Sequence, residues 1–156
     1  MKKTKLVLGF PGVGKTIYYT QNKNRIKVLD SDSSTFPKEG FPSNYMDHIL
    51  SNIGKYDIIF ISTHEVVRRA LKKLNIFSND KVGGVYLVYP DVHLKDVYLE
   101  RYKERGNDAK FIKILDTMFE NWIDELENES PKFTKIKIND DGIYVSNLSV
   151  FKLTEN

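Results

Sequence analysis

Short apolar runs alternate with longer segments of helical periodicity along most of the chain. Five of these runs predict β-strands, at Lys5–Gly9, Arg25–Asp30, Asp57–Ser62, Val85–Tyr89 and Lys135–Ile138. The third run holds consecutive large apolar residues, which is typical of a strand buried on both faces. Strands and helices that alternate in this way predict an α/β fold, a doubly wound parallel sheet with helices on both faces.

The segments between the strands carry recognisable helix signals. A helix is predicted from Lys15 to about Asn22, and another from the apolar spacing between Tyr45 and Ile53, closed by Gly54. Ser62 and Glu65 have the spacing of a capping box, which predicts that a third helix starts at the end of the third strand.

Two further helices, joined by a tight corner at Gly106-Asn107, are predicted before the last strand. The second carries an apolar stripe that we assign to the core rather than to a ligand site: Phe111, Leu115, Met118, Trp122 and Leu126. After the last strand, the segment 143–153 fits an edge strand or a short helix equally well. The length of 156 residues fits a single domain, 1–156.

Composition narrows the range of functions. The chain has no cysteine, which excludes disulfides, thiolate metal sites and cysteine nucleophiles. Its 24 basic and 21 acidic residues give a net charge of +3, too small to favour a nucleic-acid partner and compatible with a phosphate-bearing small molecule. The apolar run at the N-terminus is too short for a signal peptide or a membrane span, so we expect a cytoplasmic protein without a membrane partner.

The sequence from Gly9 to Thr16, GFPGVGKT, matches the phosphate-loop pattern G-x-x-x-x-G-K-[ST] between a predicted strand and a predicted helix. In such a loop the backbone and the helix dipole bind phosphate oxygens. We expect Lys15 to meet the β and γ phosphates of ATP and the Thr16 hydroxyl to meet Mg²⁺. The backbone that cradles the phosphates is predicted to be that of Pro11, Gly12, Val13 and Gly14.

Two carboxylates follow the second strand, Asp30 and Asp32, at the sheet edge where open α/β sheets bind ligands. We expect Asp30 to hold hydrated Mg²⁺ and Asp32 to orient the acceptor of a transferred group. Asp32 also fits a simpler role as the cap of a turn.

Other residues separate the classes of phosphate-loop protein. An Asn-Lys-x-Asp motif, expected of a GTPase, is absent, and Ser62-Thr63-His64 stands where a motor or transport ATPase would carry an acidic residue. His64 and Arg68 share one face at the start of the third helix. We expect Arg68 to bind an acceptor phosphate with His64 beside it; the alternative is that both are ordinary surface residues.

The loop variant Gly-x-Pro-Gly-x-Gly-Lys-Thr resembles that of adenylate kinase and the other nucleoside monophosphate kinases. The Asp-x-Asp after strand two resembles that of shikimate and gluconate kinases, which belong to the same superfamily of small P-loop kinases. This resemblance implies a three-layer P-loop NTPase fold, with a five-stranded, mainly parallel sheet and a short helical lid.

The resemblance also implies roles for two segments. Residues 33–55 would close over the acceptor, where Phe36 and Tyr45 are available to stack on a flat ring. Residues 92–110 would form the lid, whose Arg101 and Arg105 would neutralise the transferred phosphoryl group. Adenine would lie against residues 139–142.

Together these features predict an ATP- and Mg²⁺-dependent kinase of a nucleoside or deoxynucleoside monophosphate. Two alternatives stay open. One is a kinase of a hydroxyl acceptor, either a small metabolite or a polynucleotide 5′ end, for which Asp32 would be the general base. The other is a regulatory module that binds ATP without catalysis. The sequence gives no indication of the oligomeric state.

Overall fold

The computed structural model describes residues 2–152 of the chain. Its strands form one sheet in the order β2-β3-β1-β4-β5, in which every pairing is parallel. The strands are β1 Thr4–Gly9, β2 Val28–Asp30, β3 Ile58–Ile61, β4 Val82–Pro90 and β5 Thr134–Ile138. The prediction of a five-stranded parallel α/β sheet is therefore confirmed, with β1 at its centre.

Each crossover between strands contains at least one helix. These are α1 Lys15–Asn22, α2 Ser43–Asn52, α3 Glu65–Lys73, α4 Lys95–Glu104 and α5 Ala109–Glu127. The first crossover runs from β1 towards one edge of the sheet, and the later ones run in the opposite direction. Because such crossovers are right-handed, α1 lies on one face and the other helices lie on the opposite face, which gives three layers. Within residues 2–152, no helix has the length and apolarity needed to cross a membrane.

The core is centred on β1 and β3, two of the three inner strands. All four residues of β3 are buried, as predicted for a strand covered on both faces. On one face Tyr18 of α1 packs edge-on against Phe60, with ring centroids 5.6 Å apart; Phe10 packs in the same way against Phe119 of α5 at 5.5 Å. These aromatic contacts fix α1 against β3, and α5 against the start of the phosphate loop.

One local prediction is corrected and one open choice is decided. Helix α3 begins at Glu65 and not at Ser62, because the Ser62 hydroxyl donates to the Ser33 hydroxyl (2.7 Å) and does not cap the helix. The segment after β5 forms two short 3-10 helices, Val145–Asn147 and Ser149–Phe151, so the short-helix alternative holds and the edge strand does not. Leu153, the end of the segment left open above, lies outside the described residues.

Helix α5 shows that the predicted apolar stripe was only partly core. Its buried residues are Leu115, Phe119, Ile123 and Leu126. Phe111 is 37% exposed, and Met118 and Trp122 are half-buried. The buried face of α5 is therefore rotated about the helix axis relative to the predicted stripe. Part of the apolar surface of the helix consequently lies outside the core.

Tyr45 of α2 lies in the core and is fully buried. Its hydroxyl donates to the carbonyl of Ser31 (2.8 Å) and accepts from the backbone N–H of Ser62 (3.2 Å). The side chain thus joins the segments that follow β2 and β3, on the edge of the sheet where the phosphate loop also lies.

Replacing Tyr45 by Phe should lower the free energy of unfolding by about 1–3 kcal/mol, because two buried backbone groups lose their hydrogen-bond partner. Tyr19→Phe is the matched control, since the Tyr19 side chain is partly exposed and has no hydrogen bond within residues 2–152. Urea denaturation curves measure both variants. Equal midpoints for Tyr45→Phe and Tyr19→Phe would contradict the role assigned to the buried hydroxyl.

Candidate functional site

The predicted phosphate loop joins the central strand β1 to the N-terminus of α1. Gly12 and Gly14 adopt positive φ angles of 92° and 98°, a backbone conformation that favours glycine. At Gly14 a Cβ atom would also lie 2.8 Å from the Tyr144 ring, so a side chain there would clash as well as strain the backbone. The glycines of the motif are therefore required by the local geometry.

Hydrogen bonding separates the backbone donors of the loop into two groups. Within residues 2–152, the N–H groups of Gly12, Gly14, Lys15 and Thr16 have no acceptor. The Val13 N–H donates to the carbonyl of Phe10 (3.2 Å), and Pro11 has no N–H to donate. Of the predicted cradle, Gly12 and Gly14 supply donors for an anion, whereas Pro11 and Val13 shape the turn.

Three consecutive carbonyls of the loop accept hydrogen bonds from distant parts of the chain. The Tyr102 hydroxyl donates to Pro11 (2.7 Å), Arg101 Nη1 donates to Gly12 (2.8 Å) and the Val145 N–H donates to Val13 (2.9 Å). We call these three bonds the carbonyl clamp.

The carbonyl clamp decides where the loop donors point. In a planar trans peptide the carbonyl and the following N–H point in opposite directions. Fixing the carbonyls of Pro11 and Val13 therefore turns the N–H groups of Gly12 and Gly14 to the opposite side. Their orientation is set by residues of α4 and of the segment after β5.

Arg101 belongs to this clamp, although the sequence predicts it to be a catalytic lid residue. Its guanidinium lies between the rings of Tyr98 and Tyr144, at 4.5 Å and 4.1 Å from their centroids, and the residue is buried. A guanidinium held between two rings and bound to the Gly12 carbonyl stabilises the conformation of the loop. Arg101 is thus placed as a positioning residue.

Arg105 is different, because it is exposed at the corner between α4 and α5 and lines the cleft above the loop. Burial lowers the pKa of the Lys15 ammonium, the carboxylates of Asp30 and Asp32 raise it, and the Arg105 charge lowers it. The structure therefore brings Arg105, Lys15 and both aspartates into one electrostatic environment. The predicted lid, residues 92–110, therefore corresponds in the structure to the short corner between α4 and α5 that carries Arg105.

The predicted metal ligands Thr16 and Asp30 are close together. The Thr16 hydroxyl lies 3.4 Å from Asp30 Oδ2, a long hydrogen bond. Among residues 2–152, no group of three or more histidine or acidic side chains could hold a metal ion. This donor set suits Mg²⁺, which takes few protein oxygens and keeps water and phosphate oxygens for the rest of its shell.

Asp32 caps a turn and also lines the cleft. Its Oδ1 accepts from the Ser34 N–H (2.9 Å) and so caps a 3-10 turn over Ser33–Thr35. The residue is nevertheless exposed and lines the cleft. One carboxylate oxygen fixes the turn, and the other remains free of hydrogen bonds from the described residues.

The site opens into a cleft of about 1140 Å³. Its floor is the phosphate loop, one wall follows the ends of β2 and β3, and the other wall is built by α4 and α5. The predicted site residues that line it are Pro11, Gly12, Gly14, Lys15, Thr16, Asp30, Asp32, His64, Arg68, Arg101 and Arg105. The structure therefore brings most of the predicted site residues together in one cleft.

Phe36 and Tyr45 do not line the cleft. Phe36 packs against Tyr45, with ring centroids 5.1 Å apart, and Tyr45 is fully buried. Their predicted role in stacking on an acceptor is therefore replaced by a structural role. The aromatic contacts hold the segment after β2 against α2.

Arg68 lies on the cleft wall but is buried in an ion-pair cluster. Its Nη1 is 2.7 Å from Glu129 and its Nη2 is 3.3 Å from Glu125, while its Nε donates to the carbonyl of Thr63 (2.9 Å). Lys72 completes the cluster at 2.6 Å from Glu129. Its predicted binding of an acceptor phosphate would require these bonds to rearrange.

Several cleft residues were not predicted from the sequence. Asn107, Tyr144 and the α5 residues Phe111, Leu115, Trp122 and Glu125 all line it. The apolar ones were visible as part of a helical stripe, but periodicity alone does not separate a core face from a cleft face. Asn107 and Tyr144 carry no pattern of their own.

Comparison with known proteins gives little further guidance. No protein-family model matches the chain, and no curated protein is significantly similar to it. An uncharacterized protein from Eubacterium ventriosum ATCC 27560 is 14% identical, with 89% of this chain and 90% of that chain covered and a TM-score of 0.47. An unliganded sugar kinase from Janibacter sp. HTCC2649 is 15% identical, with 89% and 86% covered and a TM-score of 0.48. Likenesses this distant do not bear on the activity.

Replacing Tyr102 by Phe should weaken ADP binding about fivefold, because loss of a hydrogen bond worth ~1 kcal/mol loosens the Pro11 carbonyl. Tyr56→Phe serves as the control, since the Tyr56 hydroxyl has no hydrogen bond in the described part of the chain. Calorimetric titration with ADP measures both variants. Unchanged affinity in Tyr102→Phe would show that the clamp does not aim the loop donors.

Desolvation in the cleft lowers the pKa of the His64 imidazole, the charges of Lys15 and Arg68 lower it further, and Asp32 raises it. His64 is therefore expected to be neutral at pH 7. Asp32→Asn removes the carboxylate that raises the pKa of His64, so the pKa should be lower in this variant than in the unmodified chain. NMR titration of the imidazole protons tests this, and a raised pKa in the variant would contradict it.

Proposed function

We propose that this chain is an ATP- and Mg²⁺-dependent phosphotransferase acting on a small acceptor. The observation that carries the proposal is the carbonyl clamp, which turns the N–H groups of Gly12 and Gly14 towards one side beside Lys15. The loop also follows β1 next to β4. The chain connections that leave these two strands run in opposite directions, and open α/β sheets bind ligands at such a point.

The residues around the loop would have different roles in phosphoryl transfer. The backbone donors and Lys15 would bind the phosphates of ATP, and Arg105 would neutralise charge from the exposed side. Thr16 and Asp30 would hold Mg²⁺, which supplies positive charge to the phosphate oxygens when bound. Asp32 would orient the acceptor.

Two acceptor classes remain candidates, and different observations support them. The resemblance of the loop to nucleoside monophosphate kinases supports a nucleotide acceptor. The pairing of Arg68 with Glu125 and Glu129 favours a hydroxyl acceptor, because among residues 2–152 it leaves that wall without a free cation for a second phosphate group. The free Asp32 oxygen also suits a base that accepts a hydroxyl proton.

Release of ADP from Mg-ATP tests the proposal, with nucleosides, nucleoside monophosphates and small sugars as acceptors. Lys15→Ala should lower the acceptor-dependent rate by about 100-fold or more, because a positive group at the transferring phosphate is lost. Lys23→Ala removes the same charge from an exposed position at the other end of α1 and should leave the rate unchanged.

The possible results separate the classes of protein. Acceptor-stimulated ADP release that needs Lys15 would support the phosphotransferase. Tight ATP binding without release by any acceptor would contradict it and indicate a nucleotide-binding module.

A further inference from the structure

We propose that the cleft-facing side of α5 is the binding wall for the acceptor, and that it selects an uncharged hydroxyl compound with a flat apolar group, of the nucleoside type. The inference rests on the proposed phosphotransferase function and names its acceptor class. The inference depends on the shape and charge of the wall that α5 forms. These properties are independent of the phosphate loop.

The wall is apolar, and Phe111 and Trp122 form its open part, because Leu115 and Leu126 line it but are almost fully buried. Phe111 is 37% exposed and packs against Tyr102 of the carbonyl clamp, with ring centroids 6.3 Å apart, so it lies at the loop end of the wall. The half-buried Trp122 lies about three helical turns further along α5, and its ring provides a surface on which a flat acceptor ring can pack. The same helix carries Ile114, which is 45% exposed but does not line the cleft.

The charge of this region disfavours an acceptor that carries a phosphate. Arg68 and Lys72 face Glu125 and Glu129, so this cluster of two cations and two anions has no net charge. Glu65 also lines the cleft, and its charge is balanced by an ion pair with Arg69 of the same helix. A phosphate placed against this wall would meet carboxylates whose cations are already paired, which makes binding of a charged acceptor unfavourable.

The cations that remain lie on the ATP side of the cleft. Lys15 and Arg105 line the floor and the corner beside the phosphate loop, close enough for the Arg105 charge to lower the pKa of Lys15. The cleft volume of about 1140 Å³ exceeds the roughly 300–1,000 Å³ typical of one small-ligand pocket. It can therefore hold a nucleotide on the loop and a second compound against α5.

Asp32 completes the acceptor side. In the transfer, the acceptor hydroxyl oxygen bonds to the γ-phosphorus of ATP while the bond from that phosphorus to the oxygen of ADP breaks. ADP leaves with the electron pair of that bond, and Asp32 takes the hydroxyl proton through its free carboxylate oxygen. A phosphate acceptor would be ionised already and would not need this base.

Trp122 is the only tryptophan of the chain, so it reports directly on occupancy of the wall. Adenosine, cytidine, guanosine and thymidine should change its fluorescence on titration, and their 5′-monophosphates should do so only at concentrations at least ten times higher. At equal concentration each 5′-monophosphate has the same base absorbance as its nucleoside, which controls for absorption by the bases, and Trp122→Phe should show no signal from the same additions.

Kinetics test the role of the wall in turnover. Trp122→Ala should raise the KM for the nucleoside on the order of 10-fold, since a buried aromatic contact is lost, while the KM for ATP stays unchanged. Trp122→Phe should restore most of the affinity, and Ile114→Ala, on the same helix but off the cleft, should behave as the unmodified chain. Asp32→Asn should abolish transfer to a nucleoside without removing the fluorescence response.

The outcomes distinguish this inference from the proposed function. Nucleoside binding with phosphorylation supports both. Equal or better use of monophosphates would overturn the selection for an uncharged acceptor and leave the phosphotransferase standing. An acceptor KM that does not depend on Trp122, with no fluorescence response, would overturn the binding wall. A fluorescence response to nucleosides without any ADP release would support the wall and contradict the phosphotransferase.

Discussion

The carbonyl clamp on Pro11, Gly12 and Val13 is the interaction on which the site depends. The glycines allow the loop to adopt left-handed angles, but they do not by themselves select one orientation of each peptide. Tyr102, Arg101 and the backbone of Val145 make that selection from outside the loop. The geometry of the loop is therefore a tertiary property of the fold, although its sequence motif is local.

The order of the strands explains how the clamp can form. Helix α4 follows β4, which is the direct neighbour of β1, and the segment with Val145 follows β5 at the next position. Both elements leave the sheet at the edge where the phosphate loop begins. Phe10 and Phe119 then hold α5 against the same loop, so that the core and the site share their contacts.

The features that the sequence predicts are the ones with local causes. Apolar runs located all five strands, and the helices were found because side-chain periodicity depends only on the neighbouring turns. The loop followed from a motif whose parts lie close together in the chain, and Asp30 was placed beside it because the carboxyl ends of parallel strands meet at one edge of the sheet. Arg68 and Tyr45 were assigned less well, because the partners that fix them lie 57 and 61, or 14 and 17, residues away in the sequence.

Helix α5 shows why a periodic pattern cannot decide between core and site. Phe119 and Ile123 point into the core, whereas Phe111 and Trp122, on an adjoining face of the same helix, border the cleft. Both faces are apolar, although one packs against the sheet and the other borders the cleft. A change that turned α5 to bury Trp122 more deeply would remove an exposed apolar surface and add to stability. It would also withdraw the aromatic wall from the cleft, so the half-buried position of Trp122 is a cost in stability that the proposed acceptor site explains.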